Sequence, residues 1–369
     1  MAGIELWILL GIFIPIIVIT AITPIMTRKI EAFGVTVPEH VKQEQYIARH
    51  IKRYMISCVV LGVVVLIALY ALLQKQSAED VLVWLYPLCI GGYVLLTFVM
   101  YYMAHSAIKN WKTQQPWYKE QITVQKIVVQ TGFHHKKLTI SIAWYIPHLL
   151  LVICTMAYSL FRFDDYPEQI PMQYSFDGEV TRVVEKSLSS ILMLSVVALS
   201  MLIVFLFAHY SIVKSKQVIE SNDPEGSAEK NRIFRYAWSV YIAIAGFFVV
   251  MLMCIGQLSP LLQLEQSVMM SLVLGIIAIV VIGSIVLSIK LGQGGSRIRL
   301  KDRQADAVSV ADLDQYWKAG IFYFNRKDPA IFVEKRFGVG WSMNFGNPMS
   351  WVIFIGLLAI ILLPTLFLS

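Results

Sequence analysis

The chain has 369 residues, 57% of them hydrophobic and only 15% charged, with a formal net charge of +7. A water-soluble domain carries about 25% charged residues, so this composition excludes an ordinary soluble fold and points to the bilayer. Four cysteines, Cys58, Cys89, Cys154 and Cys254, all sit in apolar runs with no partner at metal-ligand spacing, which argues against a disulfide framework or a structural zinc.

A hydrocarbon core about 30 Å thick takes about 20 apolar residues per crossing helix, because every backbone amide must be satisfied within the segment. Runs of that length occur from Glu5 to Met26, Tyr54 to Gln74, Val81 to Met103, Ser141 to Phe161, Leu188 to Ile212, Ala237 to Ser259, Val268 to Ile289 and Met349 to Leu368. None alternates with period 2, so helices are expected rather than barrel strands. The first run has no Lys or Arg ahead of it and Arg28 and Lys29 directly behind it, the wrong polarity for a cleavable signal peptide. It reads as an uncleaved anchor.

The connections alternate in charge. All but Lys75, Arg162, Arg182 and Lys186 of the 31 lysines and arginines fall in the first, third, fifth and seventh connections. Basic residues in short loops stay on the cytoplasmic side, so those connections are expected inside and both termini outside. The fold expected is all-α: a polytopic membrane helical bundle with eight transmembrane helices, residues 1–369 forming a single integral membrane domain. The positive balance is thus a topology signal with no need for nucleic acid, and membrane lipids are the partners it implies.

Along the chain, the spans hold no Asp or Glu at mid-membrane depth, which disfavours a carboxylate-driven transporter. His148 follows Pro147, whose missing amide proton can kink the fourth span; a transporter or channel for a small or amphipathic solute would use the polar groups around His148 and Gln257, the latter otherwise serving helix packing. The outer connection, residues 162–187, is acidic, contains Pro167 and Pro171, and is expected to fold as a lid over the helix ends. The long connection 290–348 opens with a glycine-rich turn and closes with an aromatic, glycine-containing segment, 316–348. There Asn325 to Pro329 is expected to turn between two aromatic runs, giving a small hairpin at the cytoplasmic interface before the last helix. Lys335 and Arg336 would meet lipid phosphate there.

No metalloprotease, nucleophile-elbow or phosphate-loop signature is present, and Gly338-Val339-Gly340 lacks the third glycine of a dinucleotide site. No cofactor, metal or catalytic residue is expected, and an enzyme is the least supported class.

Two segments carry a resemblance. Tyr166-Pro167-Glu168-Gln169-Ile170-Pro171-Met172-Gln173-Tyr174, followed by Gly178 and Lys186, resembles the signature of SdpI-related bacterial membrane proteins, domain-of-unknown-function family 1648, with Gln173 where that signature has His. The stretch from Trp317 through Asn325, Asp328-Pro329, Phe332 to Trp341 and Asn344-Phe345-Gly346 is similar to family 5808, which accompanies that signature at the C-terminal end. Phe33 to Pro38 is similar to the same group. The resemblance implies a multi-pass protein of the bacterial plasma membrane acting in immunity, envelope sensing or signalling, with a peptide or membrane-protein partner. The residues it marks are Tyr166, Pro167, Ile170, Pro171, Gln173, Gly178, Asn325, Asp328, Lys335, Arg336, Gly338, Gly340 and Trp341. An assembly partner of another membrane protein is the third reading.

Overall fold

The computed structural model describes residues 4–73, 84–121, 137–174, 180–219, 223–300 and 313–362. Its helices are α1 (Ile4–Met26), the single turn α2 (Glu39–Lys42), α3 (Gln45–Leu73), α4 (Tyr86–Thr113), α5 (Pro116–Gln121), α6 (Ile146–Phe161), α7 (Leu188–Lys214), α8 (Pro224–Leu258), α9 (Gln266–Leu291) and α10 (Pro348–Leu362). Six of them, α3, α4, α6 with its preceding turn, α7, α8 and α9, are long and apolar enough to cross a membrane. The apolar helices at the two ends are described over shorter stretches, Leu10–Met26 and Pro348–Leu362. The chain is therefore a helical membrane protein, and its outward-facing side chains agree: Ile56, Val60, Val64 and Ile67 on α3 are all exposed.

Local chemistry sets the helix ends. Ser187 and Ser190 exchange side-chain and backbone bonds in a capping box that starts α7, and the Asp223 side chain accepts from Gly226 N–H at 2.9 Å to start α8 behind Pro224. Pro147 lies in the first turn of α6, behind the 3₁₀ turn Ile142–Tyr145, so it opens the helix instead of kinking a span begun at Ser141.

Helix α8 is the hub of one group, packing against α6, α7 and α9, while α1, α3 and α4 form a second group and α1 reaches α9. Their cores are separate: Val152, Ala198, Leu202, Ala243 and Val250 in the first, Phe13, Ile17, Leu69, Tyr86 and Tyr93 in the second.

Four two-stranded antiparallel sheets depart from an all-helical fold. Strands β1 (Glu31–Ala32) and β2 (Val35–Thr36) flank a Phe33-Gly34 turn. Strands β3 (Gln169–Tyr174) and β4 (Val180–Glu185) make a hairpin of the proline-containing connection. In the segment before the last helix there are two hairpins where one was expected: β5 (Trp317–Lys318) with β6 (Phe322–Tyr323), and β7 (Phe332–Glu334) with β8 (Trp341–Met343). The Asn325–Pro329 turn joins them and is not a hairpin tip. The reason is Asn344, fully buried, whose side-chain amide donates to the carbonyls of Asn325, Asp328 and Ala330 and holds the turn as a corner.

Candidate functional site

Among the described residues, one end of the bundle gathers a set of buried, paired charges. Glu334 on β7 is buried between Arg28, which follows α1, and Arg235 on α8, whose Nη2 donates to it at 3.2 Å, while Asn231 Nδ2 donates at 2.6 Å. Arg235 is wholly buried. It also donates to Asn231 Oδ1 at 2.6 Å and to the carbonyls of Ile212 and Ser215 at 2.8 and 3.0 Å, closing the last turn of α7. A buried charge is tolerated only when its hydrogen-bonding capacity is met in this way.

Asp314 forms a second node. It accepts from the Thr36 backbone and hydroxyl at 3.2 and 2.9 Å, from Lys112 Nζ at 2.8 Å, and from Arg336. Burial alone would raise its carboxyl, but Arg336 and Lys112 outweigh that and hold it at about 2. Asp328 pairs with Lys216 at 2.7 Å and accepts from the Tyr323 hydroxyl at 2.8 Å. Gln293, fully buried, donates to Gly340 O at 2.8 Å and accepts from Gly340 N at 2.7 Å, imitating a strand partner.

Two turns meet tip to tip beside α4. Phe33 and Gly34 at one tip and Ala319 and Gly320 at the other all have positive φ. His105 Nδ1 donates to Phe33 O at 2.8 Å, and Tyr101 Oη lies 2.9 Å from Ala319 O. A Cβ on Gly320 would stand 2.6 Å from His105 Nδ1, and one on Gly34 only 2.4 Å from Gly320 O, so both positions need glycine. The Phe33 and Phe337 rings stack, centroids 5.7 Å apart.

The opposite end carries a cavity of about 300 Å³ beneath the β3–β4 hairpin. Tyr166, Ile170, Pro171 and Met172 line its hairpin side, and Met193, Met269 and Met270 face it from α7 and α9. A closed polar network holds the hairpin down: Ser159 Oγ lies 3.0 Å from Tyr166 Oη, which donates to Gln257 O at 3.1 Å, while Gln257 Nε2 donates to Ser159 at 2.9 Å and Ser195 Oγ donates to Gln257 Oε1. Lys186 adds a bond to Tyr166 O at 3.2 Å and an ion pair with Glu168 at 2.7 Å.

Of the residues singled out from the sequence, Tyr166, Ile170, Pro171 and Gln257 converge on this cavity. Pro167 and Gln173 are exposed, and Gly178 lies outside the described residues. Asn325, Asp328, Arg336, Gly338, Gly340 and Trp341 belong to the charged end; Trp341 packs on Phe234 at 5.4 Å, and Lys335 is exposed, its backbone N–H bonded to Gly340 O.

His148 is in neither place, and its hydrogen-bond partner is not shared with Gln257. It bonds the Ala243 carbonyl through Nε2 at 2.9 Å and lies against Tyr145, which also meets His209, with ring centroids 5.0 and 5.5 Å apart. His148 Nδ1, His209 Nδ1 and Tyr145 Oη are buried without a hydrogen-bond partner among the described residues.

Sequence reasoning missed Glu334, Arg235, Asn231, Asp314 and Gln293 at one end and Ser159 and Ser195 at the other. The signal for the first group was the Glu334-Lys335-Arg336 run behind two apolar residues and an Arg two positions ahead of the apolar run of α8. Lone serines in apolar helices gave no signal for the second.

Six membrane-length helices, a capped cavity and a charged end define a helical integral membrane protein. A domain of unknown function (DUF1648) matches residues 150–199, which run from α6 through the hairpin into α7, and a family of unknown function (DUF5808) matches residues 326–351, the β7–β8 hairpin and its flanks. No curated protein and no solved structure matches the chain.

Proposed function

We propose that this is a non-enzymatic, multi-pass protein of a bacterial plasma membrane that receives an amphipathic ligand, of the class of membrane-active peptides, at its outer end, as SdpI-related immunity and sensing proteins are expected to do. Eight spans with both termini outside put the charged end in the cytoplasm, a reading supported by the distribution of Lys and Arg. The observation that carries the proposal is the cavity under the β3–β4 hairpin. Its flexible methionine walls suit ligands of variable apolar shape, and its roof is held by the polar bonds of Tyr166 together with the packing of Tyr166 and Ile170 against Ile191. The match over 150–199 falls on the same elements.

The test replaces residues 169–185 by a short Gly-Ser linker and, separately, fills the cavity with Val273→Trp. Cells producing either variant at wild-type level should lose protection against membrane-active peptides. Unchanged protection by both would overturn the reading.

A second reading, a transporter of a small or amphipathic solute, is favoured by the three unpartnered polar atoms of Tyr145, His148 and His209. Reconstituted transport abolished by His148→Ala would put it first. An assembly role predicts stoichiometric copurification of another membrane protein.

A further inference from the structure

We propose that the cleft between the C-terminal end of α1 and the N-terminal half of α3 is a binding site for one anionic phospholipid, its headgroup phosphate held by Lys29, Lys42, Lys52 and Arg297. The inference goes beyond the outer ligand site and rests only on the charged end lying at a membrane surface.

The cleft has a volume of about 560 Å³. Against those four cations, the one acid on its wall is Glu39, paired with Lys29 at 2.9 Å, so the site keeps a net positive charge. The cations are held in place. Lys42 Nζ donates to Thr27 Oγ1 at 3.0 Å and to Arg28 O at 2.5 Å. Arg297 donates to Ile289 O at 2.7 Å and Ile25 O at 2.8 Å, tying the ends of α9 and α1 together. Burial pushes the Lys42 ammonium down to about 8, with Glu31 partly restoring it, and a phosphate beside it would act in the same sense as Glu31.

The lower wall of the cleft is apolar: Ile25, Ile51, Met55 and Ile56. From Ile56 an exposed stripe continues along α3 through Val60, Val63 and Ile67, successive positions three or four residues apart on one helix face, with exposed Val64 beside it. A cationic pocket that opens onto an apolar helix face matches a molecule with an anionic head and acyl chains. A free phosphate ester would satisfy only the first half, which is why the lipid is the occupant assigned.

The test is native mass spectrometry on the full-length protein in mixed micelles containing phosphatidylglycerol or phosphatidylcholine. The wild type should retain one phosphatidylglycerol per chain and no comparable phosphatidylcholine. Lys29→Gln with Lys52→Gln, which alters two outer rim positions, should reduce retention roughly tenfold or more. Arg49→Gln with Arg53→Gln removes the same charge from exposed sites of α3 outside the cleft and should leave retention unchanged. Equal loss in both double variants, equal retention of the zwitterionic lipid, or displacement by millimolar inorganic phosphate would overturn the assignment. Unfolding midpoints matching the wild type confirm that both double variants fold.

Discussion

Asp314 receives a backbone amide and a hydroxyl from Thr36, an ammonium from α4 and a guanidinium from Arg336, so a single carboxylate joins three distant stretches of chain. Its folded value of about 2 lies below its ordinary 3.8. The stabilisation is therefore complete above about pH 4 and is lost as pH falls toward 2, an effect worth about 2 kcal/mol. Glu31 acts in the opposite direction: burial raises its carboxyl, so it favours the fold at low pH and opposes it as the pH rises past its ordinary 4.5. Thermal unfolding followed from pH 5 to pH 2 should show the midpoint dropping in the wild type. In Asp314→Asn the midpoint should begin lower and fall less over that window. Parallel curves for the two proteins would remove Asp314 from this role.

At the scale of elements, the two glycine-bearing tips decide how the hairpins dock on α4. Gly320→Ala would drive a methyl group into His105 and Tyr101 at a positive φ, where alanine is strained in any case. The expected cost is about 1–3 kcal/mol, with faster amide exchange across both hairpins. Gly91→Ala, on α4 with open space around its added carbon, should be neutral or slightly stabilising, so a similar loss in both variants would mean that the tip contact is not the cause. The helices of this chain were legible because a membrane span is a local property, readable from about 20 consecutive residues. The hairpins were only half legible. Turn residues at Asn325–Pro329 signalled a reversal, but which strands pair is settled by Asn344, 19 positions on from Asn325. The tripeptide Phe-Gly-Val occurs at Phe33 and again at Phe337, too short a repeat to signal contact, and those two rings stack in the structure.

In the whole molecule, α7 and α8 are fastened to each other at both ends, by Ser195 with Gln257 at one and by Arg235 with the Ile212 and Ser215 carbonyls at the other. The Arg28–Glu334–Arg235 cluster then adds α1 and β7 to that pair. Glu334→Ala should cost about 3–5 kcal/mol, because it removes the carboxylate counter-charge of two buried guanidinium groups, whereas Glu334→Gln, which keeps an acceptor for Asn231, should cost less. The unfolding midpoints of the two variants, with expression level as a second readout, check that order; equal losses would show that charge alone matters. None of this cluster was expected from the sequence, because counting Lys and Arg to orient the helices treats each as a solvated loop charge. The cavity under the β3–β4 hairpin was more legible: Tyr166, Ile170, Pro171 and Met172 stand within one short motif, while Met193, Met269, Met270, Ser159 and Ser195 come from three helices.

The bond between Thr36 and Asp314 spans 278 residues. At a synthesis rate of about 5–20 residues per second, the first hairpin leaves the ribosome on the order of tens of seconds before the acid that anchors it. Throughout that interval Arg28 has no Glu334 and the Phe33-Gly34 tip has no Gly320 against it. A chain stalled or cut before residue 313 is thus an inserted bundle with an unmatched charged face, and that nascent species, rather than the finished protein, is the one a membrane protease would encounter with its fastenings open.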